Sequence, residues 1–326
     1  RTAAWLHDCG KISTPEAVVE KATKLEAPYD RIHEIRTRFE VLHRDARIAM
    51  LEGLLAGGDR ELLERQLEQR QAELRDDFAF VAACNIGSES MDAASIERLK
   101  RIAERRWLRH FDDRLGLGWE ERARRGEEAE SLPVSEALLA DKPQHRIPRP
   151  AKDIPDAAWR FNLKPPEHLY DRGELHNLSI SRGTLTGEEI YKIREHMIHT
   201  IMMLETMEFP SHMARVAEYA GGHHETLDGS GYPRGLTAEQ LSIPARILAI
   251  ADIFEALTAS DRPYKPGKPL SEALGILAGL CDQGRIDPDL FALFLRSGIP
   301  QQYGELFLSP GQLDAVDVER LLHQAS

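Results

Sequence analysis

The chain has 326 residues, 42% hydrophobic and 29% charged, a composition that excludes a disordered or fibrous protein and supplies an ordinary core. Its net charge of -12 argues against duplex nucleic acid or an anionic membrane as partner, so any phosphate ligand must be met by local positive charge. Cys9, Cys84 and Cys281 lack metal-finger spacing, which predicts reduced thiols and a cytoplasmic setting. No run approaches the roughly 18 apolar residues of a membrane span, and no signal-peptide pattern is present.

In chain order, RTAAWLHDCGK reads as the closing turns of an apolar helix, ended by Gly10 as a left-handed cap. With Arg1 where an initiator Met would stand, the expectation is a fragment of a longer protein. From about Tyr29, Ile32, Ile35, Phe39 and Leu42 recur at spacings of three and four, and a second helical stretch runs from Glu61 to about Phe80. Gly57 and Gly58 between them predict a helical hairpin. Seven prolines between Pro133 and Pro166 predict an irregular connector. Thr186 and Glu189 form a capping box ahead of one helix whose apolar face is Ile190, Ile193, Met197, Ile201 and Leu204. A shorter helix follows with Ser211 as N-cap and Gly221-Gly222 as its stop. SIPARILAIADIFEALTA predicts another, with Ser242 capping and Pro244 in the first turn. No strand-period alternation of useful length and no internal repeat is visible; the fold class is all-α.

Several residues carry possible chemistry. Asp252 lies inside an apolar helix, where an unpaired carboxylate would be costly; a surface-facing position or a salt bridge to a core Arg such as Arg246 would explain it structurally. His7-Asp8 at a helix end is equally consistent with capping. On its helix His196 sits at the border of the apolar face, while His199 points toward solvent. His223 and His224 can reach a common centre only at a chain reversal, which Gly221, Gly222, Gly229 and Gly231 supply. Imidazole with carboxylate is the ligand set for Mn, Fe or Zn, and the whole set outweighs its parts.

HDCGK at 7–11, HHETLDGSGYP at 223–233 and ADIFEALTASDRPYK at 251–265, in that order, resemble the HD-GYP domain of the HD metal-dependent phosphohydrolase superfamily. The resemblance covers roughly residues 1–25 and 180–310. It implies an all-α HD-type bundle and a phosphodiesterase hydrolysing cyclic di-GMP to pGpG, in some members on to GMP, through a metal-bridging hydroxide. Carried over residue by residue, His7, Asp8 and Asp252 would hold one metal, with Asp8 bridging to a second held by His196, His223 and His224. Lys11 would face the phosphate as a catalytic and substrate-binding group, and Arg262 and Lys265 would grip phosphate or nucleotide. The implied cofactors are two or three divalent ions, Fe or Mn foremost. Asp228 is expected to be a turn residue rather than a ligand.

The sequence departs from the family pattern in three places. The helices that normally precede the HD pair and supply a further His are not within these 326 residues and are expected upstream. About 150 residues separate HDCGK from the His196 helix, so 1–28 and 176–326 are expected to form a discontinuous phosphohydrolase domain, with 29–175 as a helical insertion and connector. The segment from Asp252 to Arg262 is one residue longer than the commonest pattern. The insertion could pack on the core, dimerise or dock a partner, and an upstream sensory or receiver domain is expected. The competing reading is an inactive HD-GYP-like module that binds nucleotide or protein without turnover; a phosphohydrolase acting on a monomeric nucleotide gives no reason for DGSGYP.

Overall fold

The computed structural model describes residues 1–126, 131–259 and 267–325. The fold is all-α, with two short strand pairs. The chain forms two compact units: one of Arg1–Glu20, Ala151–Pro165 and Tyr191–Ser326, the other of Lys21–Pro150 and Pro166–Ile190.

The second unit is built on the predicted hairpin. Helices Ile32–Leu55 and Arg60–Ile86 are joined through Gly57, whose φ of 87° suits glycine, and the Asp59 side chain caps the second helix by accepting from the Leu62 N–H at 2.7 Å. Ile32, Ile35, Phe39 and Leu42 are buried as their spacing predicts, with Phe39 edge-on to Phe78. The Pro-rich stretch is less irregular than expected. β1 (Arg106–Arg109) pairs antiparallel with β2 (Val134–Ala137), and β3 (Arg146–Pro148) with β4 (His168–Asp171). Strands of three or four residues are too short to show a period.

The Thr186–Glu189 capping box is present in both directions, Thr186 N–H to Glu189 Oε2 at 2.9 Å and Glu189 N–H to Thr186 Oγ1 at 3.3 Å. Glu189 also receives the buried Lys21 ammonium at 2.8 and 2.9 Å. Burial pulls the Lys21 pKa down against the pull of Glu189. Removing one partner of such a pair strands the other, so Lys21→Met is expected to destabilise by about 3 kcal/mol in denaturant unfolding. Adding Glu189→Gln, which keeps an acceptor for Thr186, should restore most of that loss; no recovery would show that packing of the Lys21 stem, not charge, is what matters.

The first unit carries two apolar clusters. One gathers Ala3, Leu204, Val216 and Ala220; the other packs Phe254 on Leu270, Leu274, Leu277 and Phe291. Four local expectations are corrected here. The opening helix stops at Leu6, and Gly10 lies in a 3-10 turn, Cys9–Ser13, rather than in a left-handed cap. A Cβ on Gly10 would stand 2.0 Å from His196 O and 2.6 Å from Thr200 N, so its role is close approach. The single helix expected after Thr186 breaks at Glu195 into Gly187–Arg194 and His196–Glu205. The break leaves Ile190 exposed while Met197, Ile201 and Leu204 stay buried. Ser211 begins a 3-10 turn and makes no side-chain cap, and the Ser242 side chain makes none on helix Ile243–Thr258 either. None of the three cysteines is disulfide-bonded, and no helix among the described residues is long and apolar enough to cross a membrane.

Candidate metal centre

Four segments of the first unit deliver six histidines and carboxylates to one place. The turn after helix Thr2–Leu6 presents His7 and Asp8, helix His196–Glu205 presents His196 from its first turn, and the reversal after helix Val216–Gly221 presents His223 and His224. Helix Ile243–Thr258 adds Asp252. Arg246 is not its partner: that guanidinium lies 2.8 Å from Asp287, leaving Asp252 3.7 Å from His7 Nε2.

One device orients three of the four imidazoles. His7, His196 and His223 each place Nδ1 on the carbonyl three residues earlier, Ala4 at 2.8 Å, Ile193 at 2.5 Å and Ala220 at 2.6 Å. A carbonyl can only accept, so Nδ1 carries the proton and, in the neutral ring, Nε2 keeps its lone pair. Those Nε2 atoms converge on Asp8. Its Oδ1 lies 3.3 Å from His196 Nε2 and 3.7 Å from His223 Nε2; its Oδ2 lies 3.3 Å from His7 Nε2 and 2.5 Å from Lys11 Nζ.

The buried atoms Asp8 Oδ1, His196 Nε2 and His223 Nε2 have no hydrogen-bond partner among the described residues. Buried polar atoms are rarely left so, and three lone-pair donors facing one another are what a cation satisfies. Two groupings have ligand atoms mutually within 4.8 Å, Asp8/His196/His223/His224 and His7/His223/Asp252. The residues present therefore fit a divalent metal.

The electrostatics agree. His7 is pushed up to about 10 by Asp252 first and Asp8 second, outweighing burial. Burial works to raise Asp8, but His196, His223, His7 and Lys11 hold it far below the carboxylate range. Burial and the neighbouring His223 bring His224 down to about 3, leaving a neutral ring. Asp8 and Asp252 are both held below their ordinary range and stay ionised, and that negative charge is what a cation would meet.

The glycine-rich turn has a separate role. Asp228 accepts from Thr226 Oγ1 at 2.5 Å and Ser230 N–H at 3.0 Å, and so closes the turn as expected. Gly231 passes so close to the preceding chain that a Cβ would stand 2.4 Å from Thr226 N. Tyr232 stacks on His224 with centroids 4.9 Å apart, and the Arg194 guanidinium lies 5.2 Å from the Tyr232 ring.

Other residues of this region were invisible to pattern reading. Glu225, inside HHE, is buried and accepts from the backbone N–H of Arg234 and Leu236 at 2.7 and 2.9 Å, so its carboxylate shapes the loop. Asn162, from the Pro-rich stretch, gives its backbone N–H to Pro233 O and its side chain to Gly231 O. Asn162 also joins Lys164, Arg194 and Arg285 around a cavity of about 570 Å³ beside His224 and Tyr232. The sequence offered no rule for choosing these residues among the other polar ones near the motifs. Arg262 and Lys265 lie outside the described residues.

The HD domain family model matches residues 133–290, taking in His196, His223, His224 and Asp252 and starting after His7 and Asp8. A cyclic di-GMP phosphodiesterase of Thermotoga maritima is 30% identical over 285 residues, 85% of this chain and 64% of its own length. A 3'3'-cGAMP-specific phosphodiesterase 1 of Vibrio cholerae is 38% identical over 144 residues, 43% of this chain and 32% of its own. The cyclic di-GMP phosphodiesterase response regulator RpfG of Xanthomonas campestris is 35% identical over 133 residues, 39% and 34% respectively. The chain thus spans between a third and two thirds of the length of these relatives. The Thermotoga match must run into the Lys21–Ile190 region, because the metal-bearing unit makes up only about half of the chain.

The chain carries a domain of the HD superfamily. The motifs of the chain are similar to those of the HD-GYP type.

Proposed function

We propose that this chain is a metal-dependent phosphodiesterase that opens cyclic di-GMP to pGpG and carries it on to GMP. The observation that supports this most is Asp8, whose two oxygens turn opposite ways, Oδ1 to His196 and His223 and Oδ2 to His7 and Lys11. That is the stance of a bridging carboxylate. On this reading His7, Asp8 and Asp252 hold one ion and Asp8, His196, His223 and His224 the other, Fe or Mn. His223 lies within reach of both groupings.

When bound, such ions activate water for in-line attack on phosphorus and neutralise the charge that develops there. The protein's own groups do the rest. His196 and His223, anchored on carbonyls, hold Nε2 inward before substrate arrives, so little reorganisation accompanies the reaction. Lys11, more than half exposed and now paired with Asp8, is free to turn its ammonium to a phosphate oxygen once a cation takes its place. Lys164, Arg194 and Arg285 border the adjoining cavity and supply the local positive charge that an acidic chain must find for a dianionic substrate. Tyr232 backs His224 on one side and offers an aromatic wall. Arg262 and Lys265 are assigned to the same task on the sequence resemblance.

The experiment is a measurement of metal content and of pGpG and GMP release, with cyclic di-GMP, 3'3'-cGAMP and a monomeric nucleoside triphosphate offered in parallel. Turnover of cyclic di-GMP with two or more bound ions is expected. Bound metal with no turnover of any of them would replace the enzyme by a binding module, and preference for 3'3'-cGAMP would move the substrate within the class. A cytoplasmic location, the discontinuous domain 1–28 with 176–326, a homodimer through 29–175, and an upstream sensory or receiver domain belong to the same proposal.

A further inference from the structure

The second unit contains a cavity of about 480 Å³ whose lining is crowded with charge. Most of its cations are matched. Arg38 meets Glu174 at 2.7 Å, Arg109 meets Glu136 at 2.7 Å, Lys142 meets Glu136 at 2.8 Å, and Arg125 meets Asp113. Three arginines in the same lining, Arg31, Arg124 and Arg172, have no carboxylate at ion-pair distance among the described residues. They come from three separate elements: the residue before helix Ile32–Leu55, the last turn of helix Trp119–Arg125, and the residue after β4.

Three donors in this lining are unsatisfied. Arg124 Nε, Arg125 Nε and Trp107 Nε1 are buried with no hydrogen-bond partner among the described residues. A buried donor without an acceptor is unfavourable, so three in one cavity mark a missing acceptor. Burial lowers both Arg31 and Arg172; Glu174 and Glu34 pull Arg31 back up and Tyr170 does so for Arg172, while guanidinium neighbours add some repulsion, Arg172 on Arg31 and Arg124 on Arg172. An anion placed among them would relieve that repulsion.

We propose that this cavity binds a small phosphate ester, its phosphate held by Arg31, Arg124 and Arg172 and its organic part beside Trp107. Guanidiniums arriving from three elements suit a tetrahedral group with three acceptor oxygens; a carboxylate is met more economically by one bidentate arginine. The volume exceeds that of bare phosphate and falls in the range of small-molecule sites. The site lies wholly in the Lys21–Ile190 unit and uses none of the metal-centre residues, so it gives that unit a ligand of its own whatever the metal centre does.

The test uses the full chain, stripped of metal by a chelator and dialysed, titrated with GMP, pyrophosphate and citrate by calorimetry and by tryptophan fluorescence. GMP or pyrophosphate should bind with a Kd below about 1 mM and perturb the Trp107 signal, which Trp107→Phe removes. Arg172→Gln and Arg124→Gln should each weaken binding about tenfold or more with an unchanged circular dichroism spectrum, while Asp8→Asn leaves it intact. Arg124 sits near the end of a short helix, so that variant decides the matter if Arg172→Gln fails to fold. Absence of phosphate binding, binding indifferent to both arginine variants, binding lost in Asp8→Asn, or citrate bound as tightly as GMP would each overturn the proposal.

Discussion

Asp8→Asn is expected to lower cyclic dinucleotide hydrolysis by at least about a thousandfold, the scale at which losing a group that organises transition-state charge registers. The reason is the double use of its carboxylate. Oδ1 faces His196 and His223 while Oδ2 faces His7 and Lys11, and an amide can offer a lone pair on only one of those sides. Its NH₂ would confront either two inward-facing imidazole lone pairs or the Lys11 ammonium. Metal content should fall with activity. Helicity should not, because Asp8 lies between helix Thr2–Leu6 and the following 3-10 turn and caps neither with its side chain. Wild-type turnover in this variant would discard the bridging assignment, and retained metal with lost turnover would confine Asp8 to the chemical step.

Gly10→Ala should be nearly as damaging by a different route. The new methyl would meet His196 O at 2.0 Å and Thr200 N at 2.6 Å, and both are backbone atoms that cannot rotate away. The Gly10 N–H also donates to Thr200 Oγ1 at 3.0 Å, an anchor that the displaced turn would lose. Overpacking against a rigid neighbour destabilises by about 1–3 kcal/mol or more. Here the displaced segments are those that carry Asp8 and His196, so chemical unfolding and metal binding should report the change together. A loss of stability below about 0.5 kcal/mol, with metal retained, would mean that the two segments are not held at this distance.

The metal-type residues were legible because motif order and spacing place them regardless of packing. Helices were legible where an apolar stripe met a cap, as at Thr186–Glu189, or ran unbroken, as along Ile32 to Leu42. What escaped depends on approach between distant segments. Gly10 looked like a cap because its neighbour in space, His196, is nearly two hundred residues away in sequence. Glu225 went unassigned because its partners, the N–H groups of Arg234 and Leu236, carry no side-chain signature. Asn162 sat in a proline-rich stretch with nothing to mark it as the brace of Gly231 and Pro233. The break at Glu195 left no trace in periodicity, since both halves are good helix formers; only the exposed Ile190 betrays it.

The wide spacing of the inward-facing groups has a kinetic consequence. Asp8 and Asp252 lie far apart along the unit that holds the candidate metal centre, and the chain leaves that unit for Lys21–Pro150 and again for Pro166–Ile190 before returning with His196. Contacts of such long range form late, after loop closure has been met by other packing. Under the two-ion assignment, a bound cation therefore reports a finished chain: no early intermediate can hold it, and free metal at a hundred times its Kd would deepen the native well by about 2.7 kcal/mol. Metal supply would then set how long the folded molecule survives as well as how fast it works.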